Sequence, residues 1–224
     1  DIDAFSNIII DCITPVSFNG CRDCNCYNNL IIQENLVSES GGTTDAVGLV
    51  WFRHTSTSWE PTPPRDNTFA NNVLYYAKIR DYYQNIYFQD PISAGGDDDT
   101  YASTNKIYNN VWYCWEDPED SFRNWTNEGR WNMVDTLANV FGKDPILVEN
   151  QEYGVKLPIN GKLLGWEGMT ISPPPGYEYR GFLGNLFSNP PPIGPVNVFP
   201  EPGSPPNNPL LNNLLTDDMK LNVK

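Results

Sequence analysis

Asparagine, glycine and proline set the limits on this chain. There are 27 Asn, 17 Gly and 20 Pro, together more than a quarter of 224 residues. Each bends or interrupts regular backbone in its own way: Asn favours turns, Gly adopts left-handed φ, and Pro fixes φ and removes a donor. Good helix formers are scarce by comparison, with seven Ala and seven Lys. This composition points to a turn-rich, strand-rich body rather than a helical bundle. The aromatic content of 13% argues against disorder over the first two thirds.

Proline is also unevenly placed. From Ser172 to Lys224, twelve of 53 residues are Pro. Such a stretch excludes regular helix and central strand, and predicts extended pieces broken by turns. It is not a plain spacer, because Tyr177, Phe182, Leu186, Phe187, Val196 and Leu211 sit among the prolines. The expected division is an acidic globular body over 1–171 and an extended Pro-rich arm over 172–224, which is expected to dock outside its own body, on a neighbouring subunit. No internal repeat is evident from the spacing of similar residues.

Charge removes several classes of function. The net charge is -14, and the 14 basic residues are scattered singly. Binding to a phosphate backbone or an anionic membrane surface requires clustered Lys and Arg, so neither nucleic acid nor membrane is an expected partner. No apolar run approaches the ~18 residues of a membrane span. No signal peptide is visible, and the chain opens on Asp1, which leaves a removed leader open.

Segments rich in β-branched and aromatic residues predict strands over 6–14, 29–37, 47–54 and 106–115. Shorter candidates lie at 145–148, 153–157 and 162–166, with Asn160-Gly161 predicting a hairpin between the last two. Two stretches predict amphipathic helices instead. Tyr75, Ile79, Tyr82 and Ile86 recur at helical spacing within 71–88. Trp131, Val134, Leu137 and Phe141 repeat that stripe, with Asn127 as a cap and Gly142 past the end. The resulting fold class is β-rich α+β: one acidic globular body with short strands and two amphipathic helices, then the Pro-rich arm.

Chemistry-bearing residues are few. Cys12, Cys21, Cys24 and Cys26 fall within fifteen residues and Cys114 lies far away. Four close thiols suit zinc, yet no second pair on a distant hairpin completes a site, so a disulfide from Cys12 into the 21–26 loop is expected. His54 is the only histidine and lacks a nucleophile partner at a defined spacing. Asp97, Asp98 and Asp99 form an acidic loop that lacks the alternating spacing of a calcium loop. Glu116, Asp117, Glu119 and Asp120, flanked by Trp115, Trp125 and Trp131, resemble in chemistry alone an acid/base pair between aromatic platforms. Asn124-Trp125-Thr126 fits a glycosylation acceptor. No phosphate-cradling loop or dinucleotide fingerprint occurs.

No catalytic, cofactor or metal residue is assigned on this reading, and no cofactor is expected. The expected function is a non-enzymatic structural subunit of a large assembly, a virion component (capsid, minor capsid or tail) or an extracellular filament. Its partners would be other subunits of the same assembly, reached through the arm. The rival expectation is a secreted carbohydrate-binding or sugar-cleaving protein using Trp and Tyr platforms and the 116–120 acidic cluster.

Overall fold

The computed structural model describes residues 2–12, 14–34, 47–53, 63–77, 83–88, 103–122, 135–150, 154–159, 164–173, 176 and 178–196. Within them the chain winds as a parallel β-helix. The first coil contributes β1 (Asp3–Phe5), β2 (Ile8–Ile10) and β3 (Val16–Asn19). The second contributes β4 (Asn25–Tyr27), β5 (Leu30–Gln33) and β6 (Val47–Arg53). The third contributes β7 (Thr68–Ala70), β8 (Val73–Tyr76) and β9 (Tyr83–Phe88). A fourth coil supplies β10 (Lys106–Tyr108) and β11 (Val111–Cys114), and a fifth supplies β12 (Asp135–Leu137) and β13 (Val140–Phe141).

Equivalent strands stack in register across coils. One sheet runs β1-β4-β7-β10-β12, a second pairs β2, β5, β8, β11 and β13 in coil order, and a third runs β3-β6-β9. Every pairing among them is parallel. Parallel neighbours need long crossovers, and here the rest of each coil is the crossover. The three sheets enclose an interior filled by Phe18, Cys26, Ile31, Phe52, Phe69, Leu74, Ile86, Ile107 and Trp112. Phe18 stacks on Phe52 with ring centroids 4.8 Å apart. Each such side chain, fully buried, contributes roughly 1.5–3 kcal/mol.

After the fifth coil the chain turns to the side. An antiparallel hairpin, β14 (Leu147–Asn150) and β15 (Val155–Pro158), lies on the outer face of the second sheet. Leu157, Ile193 and Val196 there bury Leu30, Ile32, Val73 and Val111. The β-helix thus has two apolar clusters, one inside the coils and one on their flank.

The α+β expectation is corrected at both proposed helices. Within 71–88 the structure has β8 and β9, and within 131–141 it has β12 and β13; no α-helix occurs among the described residues. Tyr75 and Ile86 fall on different strands, with Ile79 and Tyr82 outside the described residues, and Leu137 and Phe141 fall on two short strands that meet at the Ala138-Asn139 corner; aromatic and β-branched residues favour the pleated surface. The single strand expected over 106–115 is likewise two, broken at Asn109-Asn110. The hairpin lies one strand earlier than expected, and residues 160–163 fall outside the described set. The absence of a repeat is also overturned: five coils repeat one corner, as described next.

Candidate functional site

The repeating element is the corner between the first and second sheets. Its first residue has left-handed φ in every coil: Ser6 at 57°, Asn28 at 53°, Asn71 at 57°, Asn109 at 50° and Ala138 at 51°. Asn accepts this region more readily than most residues because its short amide hydrogen-bonds locally. The next residue is always Asn: Asn7, Asn29, Asn72, Asn110 and Asn139.

These second asparagines form an amide ladder along the axis. The Asn7 N–H donates to Asn29 Oδ1 at 2.9 Å. Asn29 N–H donates to Asn72 Oδ1 at 2.9 Å, Asn72 N–H to Asn110 Oδ1 at 2.9 Å, and Asn110 N–H to Asn139 Oδ1 at 3.0 Å. Each Nδ2 reaches forward to the same Oδ1. From the second coil on, each Nδ2 also reaches back to a carbonyl of the preceding coil: Ala4, Cys26, Phe69 and Ile107. Asn29, Asn72 and Asn110 are fully buried. A buried amide costs ~1–3 kcal/mol for each group left unpaired, so a completed ladder is the condition for having polar side chains here at all.

A shorter ladder runs five residues earlier in the second, third and fourth coils. Cys24 N–H donates to Asn67 Oδ1 at 3.0 Å and Asn67 N–H to Asn105 Oδ1 at 3.1 Å. Asp23 and Asp66 supply the left-handed residue before it, at 55° and 58°.

The first asparagine of each pair does the opposite job on the outside. Asn28 Nδ2 donates to Pro192 O at 2.7 Å and Gly194 O at 2.8 Å. Asn71 pairs with Met169 in both directions, Nδ2 to O at 2.8 Å and N–H to Oδ1 at 2.7 Å. Asn109 Nδ2 donates to Glu167 O at 2.9 Å. Tyr179 donates its hydroxyl to Asn28 Oδ1 and lies edge-on to both Phe5 and Tyr27. Residues 178–196, the first part of the Pro-rich stretch, are in this way seated on the chain's own coils; 197–224 fall outside the described residues. Proline suits the role, since its carbonyl accepts from the Asn amides and it carries no N–H to bury unpaired.

The expected cysteine bridge is not formed. All five cysteines are free. Cys26 points into the interior, where Asn29 Nδ2 lies 3.3 Å from its sulfur. Cys24 occupies a ladder position and is buried beside Cys21, whereas Cys12 is exposed. The fold therefore buries the 21–26 thiols and leaves Cys12 at the surface, which short loop spacing cannot foretell. Burial pushes the Cys26 thiol up to about 12, and burial together with the neighbouring Cys24 does the same for Cys21. No group of three or more His, Cys, Asp or Glu that would hold a metal stands among the described residues.

The acidic cluster sits on an exposed turn. Glu116 and Glu119 are exposed, Asp117 partly so, and Trp115 before them is 40% exposed. The turn at Pro118–Asp120 is tied to the coil by Ser121, whose Oγ donates to Pro118 O and accepts from Cys114 N–H. An open depression beside it is lined by Pro118, Glu119, Phe122, Phe141, Gly142 and Lys143. Trp125, Trp131, His54, Asp97 to Asp99 and Asn124 lie outside the described residues.

Sequence reasoning missed the corners. Their signal is in the chain: Phe5-Ser6-Asn7-Ile8, Tyr27-Asn28-Asn29-Leu30, Ala70-Asn71-Asn72-Val73, Tyr108-Asn109-Asn110-Val111 and Leu137-Ala138-Asn139-Val140. They are separated by 22, 43, 38 and 29 residues, so no fixed period exposes them. No protein-family model matches the chain, and no curated protein or solved structure matches it.

Proposed function

We propose that the chain is a non-enzymatic structural subunit of a large protein assembly, a virion component or an extracellular filament subunit. The carrying observation is the uninterrupted asparagine ladder through five coils. A solenoid of this kind is a stiff one-dimensional scaffold, each repeat stabilised by its neighbours. The Pro-rich stretch supports the same reading, because extended segments of this type reach and bind surfaces at low ordering cost. Residues 197–224 are the candidate contact to other subunits. The test is native mass spectrometry of the chain isolated from its source. Co-purifying chains or multiples of its mass are expected. A monodisperse monomer that binds a glycan array would instead favour the carbohydrate reading.

One observation supports that second reading. Tyr75 and Tyr113 lie 5.7 Å apart on the outer face of the second sheet, with Asp144 close enough to influence both hydroxyls and Glu34 and Lys156 that of Tyr75. Half-exposed rings beside carboxylates suit a sugar face.

A further inference from the structure

The turn that begins the short ladder holds two thiols side by side, and we propose that Cys21 and Cys24 are a disulfide-forming pair whose closure locks the junction between the second and third coils. The pair stands independently of the subunit reading above.

Equivalent turns show why both positions matter. Cys21-Arg22-Asp23-Cys24 lies against Pro64-Arg65-Asp66-Asn67 of the next coil, joined by a parallel bridge between Arg22 and Arg65. Asp23 and Asp66 bend the two turns with the same left-handed φ, 55° and 58°. In the third and fourth coils the ladder position is Asn67 and Asn105. Each reaches back with Nδ2 to the residue that leads the turn of the preceding coil, Asn67 to Cys21 O at 3.2 Å and Asn105 to Pro64 O at 3.0 Å. In the second coil the ladder position is Cys24, whose side chain carries no amide to span coils. Its thiol stays within its own turn, 3.4 Å from Arg22 O and within hydrogen-bonding reach of the Cys21 thiol. Asn67 Oδ1 fixes the arrangement: it accepts Cys24 N–H at 3.0 Å and Cys21 S–H at 3.5 Å, so one oxygen holds the Cys21 sulfur beside the start of Cys24. The other nearby thiols are engaged elsewhere, Cys26 by Asn29 Nδ2 at 3.3 Å and Cys12 by Ile10 O at 3.6 Å.

Closure takes an oxidant, and a small-molecule disulfide is the class that fits. Cys21, the more exposed of the two, attacks one sulfur of the reagent, forming a mixed disulfide and releasing one reagent thiol. Cys24 then attacks the Cys21 sulfur and expels the second reagent thiol. Two electrons pass from the cysteine sulfurs to the reagent, and the two cysteine protons end on its two thiols. Burial and the neighbouring Cys24 keep the Cys21 proton in place, so thiolate is scarce at neutral pH and exchange is slow, which suits a bridge made once rather than a catalytic dithiol. The bridge ties together the two residues whose backbones grip the third coil: Cys21 O accepts Arg65 N–H at 3.0 Å and Cys24 O accepts Thr68 N–H at 2.9 Å. It also removes freedom from the unfolded chain.

The test exposes the full chain to oxidised glutathione without denaturant, then alkylates the remaining thiols in urea. Trypsin cuts after Arg22 and separates the two cysteines, so the bridge is read as two joined peptides, and their fragmentation locates the sulfurs without any variant. The expected product joins Cys21 to Cys24. It should disappear in Cys21→Ser and in Cys24→Ser and persist in Cys12→Ser. The oxidised chain should unfold at a higher urea midpoint than the reduced chain, and Cys21→Ser should show no such difference. A bridge to Cys12 or Cys26, glutathione retained on Cys21 without closure, or Cys21 and Cys24 both still open to alkylation overturns the pair. A Cys21–Cys24 bridge that leaves the midpoint unchanged or lower overturns the lock. None of these outcomes bears on whether native isolation yields companion chains.

Discussion

Asn71 and Asn72 are neighbours in the chain and do opposite work. Asn72 faces the interior, where its amide is bonded to two other coils. Asn71 faces the flank, where its amide holds Met169. The same contrast recurs at Asn28-Asn29 and Asn109-Asn110. Residue type is constant, and Asn28 and Asn71 are as fully buried as Asn29 and Asn72, so what differs is the partner: the inner amide joins coils to one another, whereas the outer amide joins them to the flank segment. The inner ladder should therefore dominate stability, and the outer asparagines should control docking of the flank.

The most severe way to sharpen this contrast is Asn72→Ala. It leaves Asn29 N–H without its acceptor in the interior and removes the amide bonds to Cys26 O and Asn110 Oδ1, and should cost about 3–5 kcal/mol. Against typical domain stabilities that is a large share, visible as a lowered urea midpoint. Gly194→Ala comes next. Gly194 has φ +90°, and a Cβ there would lie 3.0 Å from Val73 Cγ2 and 3.2 Å from Pro158 Cγ. Strain and crowding together should cost roughly 1–3 kcal/mol and loosen the flank, readable as faster proteolysis within 164–196. Asn71→Gly keeps the left-handed turn and removes the Met169 pairing together with the Nδ2 bond to Asn28 Oδ1. It should cost about 1–2 kcal/mol, again with increased cleavage of the flank. If Asn71→Gly proves more destabilising than Asn72→Ala, the division between inner and outer amides is wrong.

Smaller effects follow from the buried thiols. Cys26 titrates near 12 in the folded chain against 9.0 in the open one, raised by desolvation. The folded state then holds its proton through a range where the unfolded state has lost it. This contribution is fully present below pH 9 and is lost as pH rises from about 9 towards 12. Cys26→Ala should flatten that alkaline decline in a pH series of unfolding midpoints. Under native conditions Cys12 should alkylate first and Cys26 last, as mass mapping would show.

Parts of the fold were legible. The 47–54 strand was read within a residue of its observed bounds, and those at 6–14 and 29–37 were found with their edges too wide. Turn-rich, β-rich character followed from Asn, Gly and Pro. The two helices do not form because Tyr75 and Ile86 belong to different strands, as do Leu137 and Phe141, and apolar residues drawn from two successive strands imitate a 3.6-residue period over short range. The bridge from Cys12 failed for a related reason: spacing in sequence measures how near two thiols can come, not which side of a sheet each faces.

By itself the sequence determined the local conformations. Asn-Asn followed by a β-branched or apolar residue specifies a left-handed corner entering a strand, and the twelve prolines after Ser172 argue against regular helix there. Only the tertiary structure decided which corners stack on which. Parallel pairing joins corners 22 to 43 positions apart, at intervals that differ from coil to coil. It also decided which asparagine of each pair faces in. That choice depends on four or more hydrogen bonds contributed by neighbouring coils, and no single coil contains the partners that would make it.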